Sequence, residues 1–269
     1  MRLRPATQVD LPALETLLAT RLQTSIFPLA NLRAHGLDGT APRALRIHIT
    51  DAADGMVAVS TEGMVFPQLP DPASLPAAAM LLPNRPMGLI GPAGQVRALL
   101  RAAGLDARPT AHDADEPGFA LDLTRWTPPA PRADLALVRA DTPQQVAAMV
   151  AMRRAYEVET GVTPTDVEST VAGYVRADSH RLLLLEGAPV GMTGFNAVVD
   201  DAVQVGGVHI LPPYRNRGLA RRMVALHLAQ ARSAGAARAF LFAASESAAR
   251  AYTAIGFRPA DPIALVFFA

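Results

Sequence analysis

The stretch "YRNRGLA", residues 214–220, places two arginines, an asparagine and a glycine directly before the run "LARRMVALHLAQARSAG". The apolar residues of that run have helical spacing. A helix N-terminus presents unpaired N–H groups and about half a positive charge, so arginines there oppose the helix dipole. A bound anion would remove this conflict, and Gly218 would let the backbone approach the anion closely. The stretch therefore predicts a phosphate- or pyrophosphate-binding turn rather than a solvated first turn.

The segments around this turn alternate between strand and helix patterns. The run "AVQVGGVHI" (202–210) predicts a strand before the turn; "RAFLFAA" (238–244) predicts a strand after it, and "SESAARAYTAIGF" (245–257) a helix. Upstream, we predict a strand at 135–140, helices from Asp141 or Thr142 and from about Thr165, and a strand hairpin over 180–200. A final strand is expected at 263–269. The mixture indicates an α/β or α+β sheet domain.

The familiar phosphate loops do not fit, because no G-x-G-x-x-G follows a strand and no G-x-x-x-x-G-K occurs. The order Arg, two residues, Gly, one residue, Ala (215–220) resembles the acyl-CoA loop of the GNAT superfamily of N-acyltransferases, and it follows "VHILPPY", which is similar to the family's V-x-x-x-P-x-Y. A second family motif, Asn-x-x-Ala-x-x-x-Tyr-x-x-x-Gly-Phe, matches Ser245 to Phe257 in spacing, with Ser in place of Asn. The resemblance covers about 134–269.

The resemblance implies transfer of an acyl group from acetyl-CoA to a primary amine, by direct attack of the amine on the thioester. It also implies the residues that bind the co-substrate. The pyrophosphate is expected on the turn and helix start, and the pantetheine arm on the preceding strand; the full set is Val208, His209, Ile210, Arg215, Asn216, Arg217, Gly218, Leu219, Ala220, Arg221 and Ser245. Ser245 can still cap its helix.

The chemistry requires a proton acceptor for the amine and a proton donor for the leaving thiolate. By the resemblance Tyr252 is the predicted general acid, the alternative being a tyrosine that only packs against the sheet. Glu157 and Glu159 are the predicted catalytic carboxylates, the alternative being a solvated helix end. Strand alternation puts His209 on the face opposite to Val208 and Ile210, which favours a packed or surface histidine over a base.

Gly206 and Gly207 lie inside the strand before the turn. They predict a β-bulge that splays this strand and opens a slot; a merely weakened strand is the alternative.

The two halves of the chain show a partial internal repeat. "LIGPAGQVRALLRAAGLDARP" (89–109) aligns with "LFAASESAARAYTAIGFRPAD" (241–261) at a constant offset, so that Leu100 stands where Tyr252 is. The first half has Arg and Gly at the spacing of the acyl-CoA loop in "RAHGLD" (33–38), but Asp38 stands where that loop has a small residue. The first half therefore resembles a degenerate GNAT copy, as in glycine N-acyltransferase-like proteins. We predict tandem GNAT-like domains at 1–128 and 129–269, each with a mixed, mostly antiparallel sheet flanked by helices, and joined near the proline-rich "TRWTPPAPRAD" (124–134).

Composition excludes several classes of site. The chain has 269 residues and no Cys, so disulfides, thiolate metal sites and cysteine nucleophiles are excluded. It contains no Lys either, which excludes a Schiff-base lysine. The net charge of +1 argues against a nucleic-acid partner. We expect no signal peptide, no membrane association, no metal, a cytoplasmic location, and a small-molecule amine, possibly an amino acid, as acceptor; the alternative is an acyl-CoA-binding regulatory or structural protein without turnover.

Overall fold

The same order of ten helices and strands occurs twice in the computed structural model, which describes residues 2–160 and 165–269. The first copy comprises β1 (Leu3–Pro5), α1 (Leu11–Thr20), α2 (Leu22–His35), β2 (Leu45–Thr50), β3 (Met56–Ser60), β4 (Met64–Gln68), α3 (Leu75–Ala79), β5 (Gly88–Pro92), α4 (Ala93–Ala102) and β6 (Thr110–Asp122). The second comprises β7 (Leu135–Val138), α5 (Pro143–Thr160), α6 (Val167–Arg176), β8 (His180–Leu185), β9 (Ala188–Val199), β10 (Ala202–Ile210), α7 (Leu219–Ser233), β11 (Arg238–Phe242), α8 (Glu246–Thr253) and β12 (Arg258–Phe268).

The turns that end α4 and α8 repeat the same hydrogen bond. The N–H of Leu105 donates to the carbonyl of Leu100 at 2.9 Å, and that of Phe257 donates to Tyr252 at 3.2 Å. In both turns the preceding glycine, Gly104 or Gly256, has positive φ, as the closing turn of a helix requires. The internal repeat predicted from the sequence is confirmed.

The chain divides into two compact units, whose limits differ from those of the two repeats. The first unit contains residues up to Gly118 together with Asp261–Ala269, and the second contains Phe119–Ala260. Each unit therefore contains the last part of the other repeat's final strand: residues 119–122 of β6 lie in the second unit, and residues 261–268 of β12 lie in the first. The predicted domain limits, 1–128 and 129–269, stay a prediction.

In the first unit, antiparallel pairs join β1 to β2, β2 to β3 and β3 to β4, whereas β4 and β5 run parallel. The C-terminal strand completes this sheet: Ile263–Phe267 of β12 pairs antiparallel with Gly88–Pro92 of β5. Val266 is fully buried there in a cluster with Val57, Leu89 and Leu99. The end of the chain is thus part of the first unit's core.

The second unit has antiparallel pairs β7–β8, β8–β9 and β9–β10 and a parallel pair β10–β11. Its two sheet faces are covered by different helices. Met149 of α5 and Val171 of α6 pack with Leu182 and Met192 on one face. On the other, Leu219 and Met223 of α7 pack with Leu183, Val190 and Ile210. The predicted mixed, mostly antiparallel sheet with flanking helices is confirmed.

Local signals account for the helix starts. Thr142 accepts a hydrogen bond from the N–H of Gln145 at 3.3 Å, and Asp166 accepts one from Ser169 at 3.1 Å, so both act as caps. Trp126, inside the predicted linker, is buried in the second unit and donates to the carbonyl of Ile255 at 2.7 Å. The three-residue β1 was not predicted, because it is too short for a periodic pattern. No helix in the described part of the chain is long and apolar enough to cross a membrane.

Candidate acyl-CoA site

The pairing of β10 with β11 ends part-way along β10, and the gap beyond the last paired residues is the candidate slot. Their parallel register runs from Ala202 opposite Arg238 to Val205 opposite Leu241, and β10 then continues to Ile210 with β9 as its partner. The register with β9 shifts between Gly206 and His209, and Gly207 has φ +59°. The predicted bulge is confirmed. Beyond it, β10 presents an edge of backbone polar groups that a ligand can pair with.

The turn at the mouth of this slot leads into α7. Gly218 caps the helix in the left-handed conformation, with φ 70° and ψ 14°. Asn216 also has positive φ, at 61°. Leu219 is buried against the sheet and fixes the first turn, while Asn216, Arg217 and Arg221 are exposed. The first-turn N–H groups have no intrahelical acceptors and point out of the helix end, and no acidic side chain lies in that turn. This end of α7 fits an anion.

Arg215 is directed away from the helix end. Its Nε donates to the carbonyl of Ile210 at 2.9 Å, and its Nη2 lies 2.5 Å from Oε2 of Glu159, at the end of α5. This hydrogen bond holds the pKa of the Glu159 carboxyl below its usual value. Arg217 lies with its guanidinium carbon 5.7 Å from the centre of the Tyr214 ring. Of the two arginines predicted to assist anion binding, Arg215 is engaged with a carboxylate.

His209 points to the α5 side of the sheet, as strand alternation predicts, whereas Ile210 packs under α7. Its Nδ1 lies 3.8 Å from Oε2 of Glu159, and its ring meets the Tyr156 ring edge-on at 5.9 Å. The side chain is only 4% exposed, and Nε2 is buried with no hydrogen-bond partner among the described residues. Burial lowers the pKa of His209; Arg215 lowers it further and Glu159 opposes this.

Both carboxylate oxygens of Glu157 accept hydrogen bonds from neighbouring residues. Its Oε1 accepts hydrogen bonds from Nε of Arg153 at 2.9 Å and from the Thr165 hydroxyl at 2.6 Å, and the Thr165 N–H donates to Oε2 at 3.3 Å. Burial acts to raise the pKa of Glu157, but these hydrogen bonds outweigh it and leave the pKa below its usual value. The arrangement is that of a structural carboxylate joining α5 to the start of α6.

Tyr252 is 7% exposed and belongs to the core cluster that contains Phe257 and Leu241; Val208 packs against the same cluster. Ser245 accepts a hydrogen bond from the N–H of Ala248 at 3.2 Å, so its predicted capping role is confirmed. The predicted site residues thus fall into two groups. The slot, the turn and the Tyr252 cluster share the α7 side of the sheet, and His209 and Glu159 share the α5 side.

Two features of the site were not predicted. Arg153 precedes Glu157 by four residues, a spacing that places both side chains on one face of the helix. This spacing could have indicated that Glu157 forms an ion pair with Arg153. The contact of Arg215 with Glu159 joins residues far apart in sequence and has no local signal. Across the described residues, no cluster of three His, Asp or Glu side chains could hold a metal ion.

Comparison with known proteins agrees with this geometry. Residues 151–257 match the acetyltransferase (GNAT) family model, so this part of the chain is similar to that family. The match suggests acyl transfer from acetyl-CoA. No curated protein matches the chain significantly.

Solved structures share the fold at low identity. They include a Drosophila protein with 13% identity and a TM-score of 0.68 that covers 99% of this chain and 98% of its own. A GCN5-related N-acetyltransferase from Sphaerobacter thermophilus has 17% identity, a TM-score of 0.61 and coverages of 98% and 94%. A tandem GNAT protein from the clavulanic acid biosynthesis pathway has 15% identity, a TM-score of 0.57 and coverages of 100% and 98%. The similarity to glycine N-acyltransferases in particular stays a prediction.

Proposed function

We propose that the chain is an N-acetyltransferase that moves the acetyl group of acetyl-CoA to the primary amine of a small molecule, an amino acid being one candidate. The observation that carries this proposal is the end of β10–β11 pairing at Val205 and Leu241, next to a helix that begins after its cap, Gly218, and has no acidic side chain in its first turn. An extended arm fits along the free edge of β10, and its phosphates fit the N–H groups of α7.

The residues on the slot divide the work of binding. N–H groups from Asn216 to Arg221 would hold the pyrophosphate, with the exposed guanidinium groups of Arg217 and Arg221 adding charge. The β10 edge at Val208 and Ile210 would orient the pantetheine arm; the Ile210 carbonyl already accepts from Arg215. Acetyl-CoA supplies the thioester whose carbonyl carbon the amine attacks.

We assign Tyr252 as the proton donor to the leaving thiolate. Its cluster includes Val208, a residue of the slot-lining strand segment, which supports the assignment. On the other side of the sheet, Glu159 offers a carboxylate that is 46% exposed and can attract an ammonium group. Glu157, by contrast, has its oxygens hydrogen-bonded within the chain, so we assign it a structural role.

The test is thiol release from acetyl-CoA across a panel of small amines, amino acids and short peptides. We expect release that depends on the acceptor and is faster with a small amine than with any peptide. Tyr252→Phe should lower kcat by about 10²-fold or more, because positioned proton transfer contributes roughly 10²–10⁴-fold.

Leu100→Met is the matched control, because Leu100 occupies the equivalent place in the first repeat. It should leave kcat unchanged. Thermal stabilisation by CoA without release for any acceptor would instead identify a CoA-binding protein without turnover. Preference for peptides would overturn the small-molecule assignment.

A further inference from the structure

The proposed reaction leaves the proton acceptor to be assigned, and His209, Glu159 and Arg215 form a cluster that can serve. One carboxylate oxygen, Oε2 of Glu159, faces both basic side chains: it lies 2.5 Å from Nη2 of Arg215 and 3.8 Å from Nδ1 of His209. A separation of 3.8 Å is too long for a hydrogen bond. The oxygen is therefore bonded to Arg215 and only near His209.

The second ring nitrogen of His209 also lacks a partner in the described part of the chain. Nε2 is buried and makes no hydrogen bond, although a buried polar atom without a partner costs about 1–3 kcal/mol. A ligand proton donor would satisfy it. His209 lies in the segment of β10 that borders the slot, where an acceptor amine has to approach the thioester.

We propose that His209 accepts the proton of the acceptor amine and that the carboxylate of Glu159 positions the His209 ring. Arg215 holds this carboxylate away from His209 until an anion binds the Arg215 guanidinium. This inference rests on the proposed function. Arg215 adjoins the anion-binding turn, so phosphate groups there would compete with Glu159 for it. Once released, Oε2 can close on Nδ1 and favour the protonated imidazole.

The proton and electron balance follows from these positions. The ammonium group gives one proton to Nε2 of His209, and the nitrogen lone pair forms the bond to the carbonyl carbon. The carbon–sulfur bond breaks, and its electron pair remains on sulfur. The sulfur takes the proton of Tyr252, whose phenolate recovers one from the product nitrogen. His209 releases its proton to solvent.

The charged groups that face His209 make this testable without turnover. Glu159 from α5 raises the pKa of His209 and Arg215 from the turn lowers it; Tyr156 also packs on the ring. Following the imidazole resonances by NMR, we expect Glu159→Gln to lower the pKa of His209 and Arg215→Gln to raise it. CoA should raise it in the wild-type protein and raise it less in Arg215→Gln, in which Glu159 is already free.

Kinetics then separate a proton acceptor from a packing residue. His209→Gln should lower kcat by about 10²-fold or more near neutral pH, with little change in the Kd for CoA. The histidine ionisation should disappear from the acidic limb of the kcat/KM profile, which leaves only the rise that follows ionisation of the amine. Activity should recover at alkaline pH, where the amine is already neutral. His35→Gln, at an exposed histidine of the first unit, is the control that should change nothing.

Each result has one meaning. Turnover combined with a His209 titration that responds to neither substitution nor CoA would overturn this inference alone. So would a His209→Gln enzyme whose kcat/KM profile keeps the same ionisation as that of the wild type in its acidic limb. Absence of turnover with every acceptor would overturn the proposed function, and this inference with it.

Discussion

The two repeats share an order of elements but differ at the slot. In the second unit, β10 stops pairing with β11 after Val205, and α7 runs for 15 residues after its cap, Gly218. In the first unit, the pairing of β4 with β5 also ends early, after Val65 opposite Leu89, and the equivalent helix α3 has five residues. The two strands nevertheless stay in close contact beyond that point, because a methyl group placed on Gly91 would meet the carbonyl oxygen of Pro67 at 3.0 Å and its ring at 3.2 Å.

A side chain also occupies the first unit's strand end. The N–H of Leu69, just after β4, donates to Oε1 of Gln95 on α4 at 2.6 Å. In the second unit, the segment after β10 instead leads into the exposed turn at Arg215–Gly218. The shared order of helices and strands thus determines the fold of both units. The slot depends in addition on a few backbone positions and on which polar groups are already hydrogen-bonded.

The largest effect is expected from breaking the first unit through a residue at the end of the chain. Val266→Asp would bury an unpaired carboxylate in the first unit's core, where Val266 is fully buried. A penalty of several kcal/mol, on the order of a unit's whole stability, should unfold residues 2–118. Limited proteolysis with mass spectrometry should then find new cleavage sites in that range.

Val198→Asp is the matched control, because the same change falls on a valine that is 56% exposed in the second unit. It should leave the cleavage pattern unchanged. If Val266→Asp instead opened mainly residues 119–260, the assignment of the last strand to the first unit would be wrong.

Acid should weaken the second unit more than the first. Burial lowers the pKa of His180 and of His227 to about 3, from the usual 6.5; His180 stacks on Tyr174 and His227 on Phe195. Because the unfolded chain binds protons first, stability is full above pH 6.5 and falls as the pH drops towards 3. At pH 4.5, two units below the usual pKa, each histidine should cost about 3 kcal/mol, at roughly 1.4 kcal/mol per unit.

His227→Phe removes one of these groups and should recover most of that loss. Urea unfolding at pH 4.5 and pH 7.5 measures it: the variant should gain stability relative to wild type only at the lower pH. In the first unit, His48 is less deeply buried, and burial lowers its pKa too, so His48→Phe should recover less. An equal gain at both pH values would show a packing effect instead.

Sequence reasoning found what is encoded locally. The turn before α7, the bulge at Gly206 and Gly207 and the cap at Ser245 each follow from residue types at fixed spacing. It missed what depends on contacts between distant segments. The placing of residues 261–269 in the first unit has no local pattern. Likewise, nothing near Glu159 or Arg215 in sequence indicates that the two meet, although this contact decides which charges are free.

The smallest effect separates backbone strain from ligand binding at a glycine. Gly218→Ala would force a side chain into the left-handed region, at about 1–2 kcal/mol. Gly104→Ala in the first unit imposes similar strain, since Gly104 has φ +65° and no atom lies within 4 Å of an added methyl group. Both should lower Tm by a few degrees.

Only Gly218→Ala should also raise the Kd for CoA, because its methyl group stands at the helix end where phosphates would approach the N–H groups. We expect an increase of about tenfold, which corresponds to about 1.4 kcal/mol of lost binding free energy. Calorimetric titration of both variants decides this: equal affinities would place the pyrophosphate elsewhere and leave the difference between the two repeats without the role assigned to it.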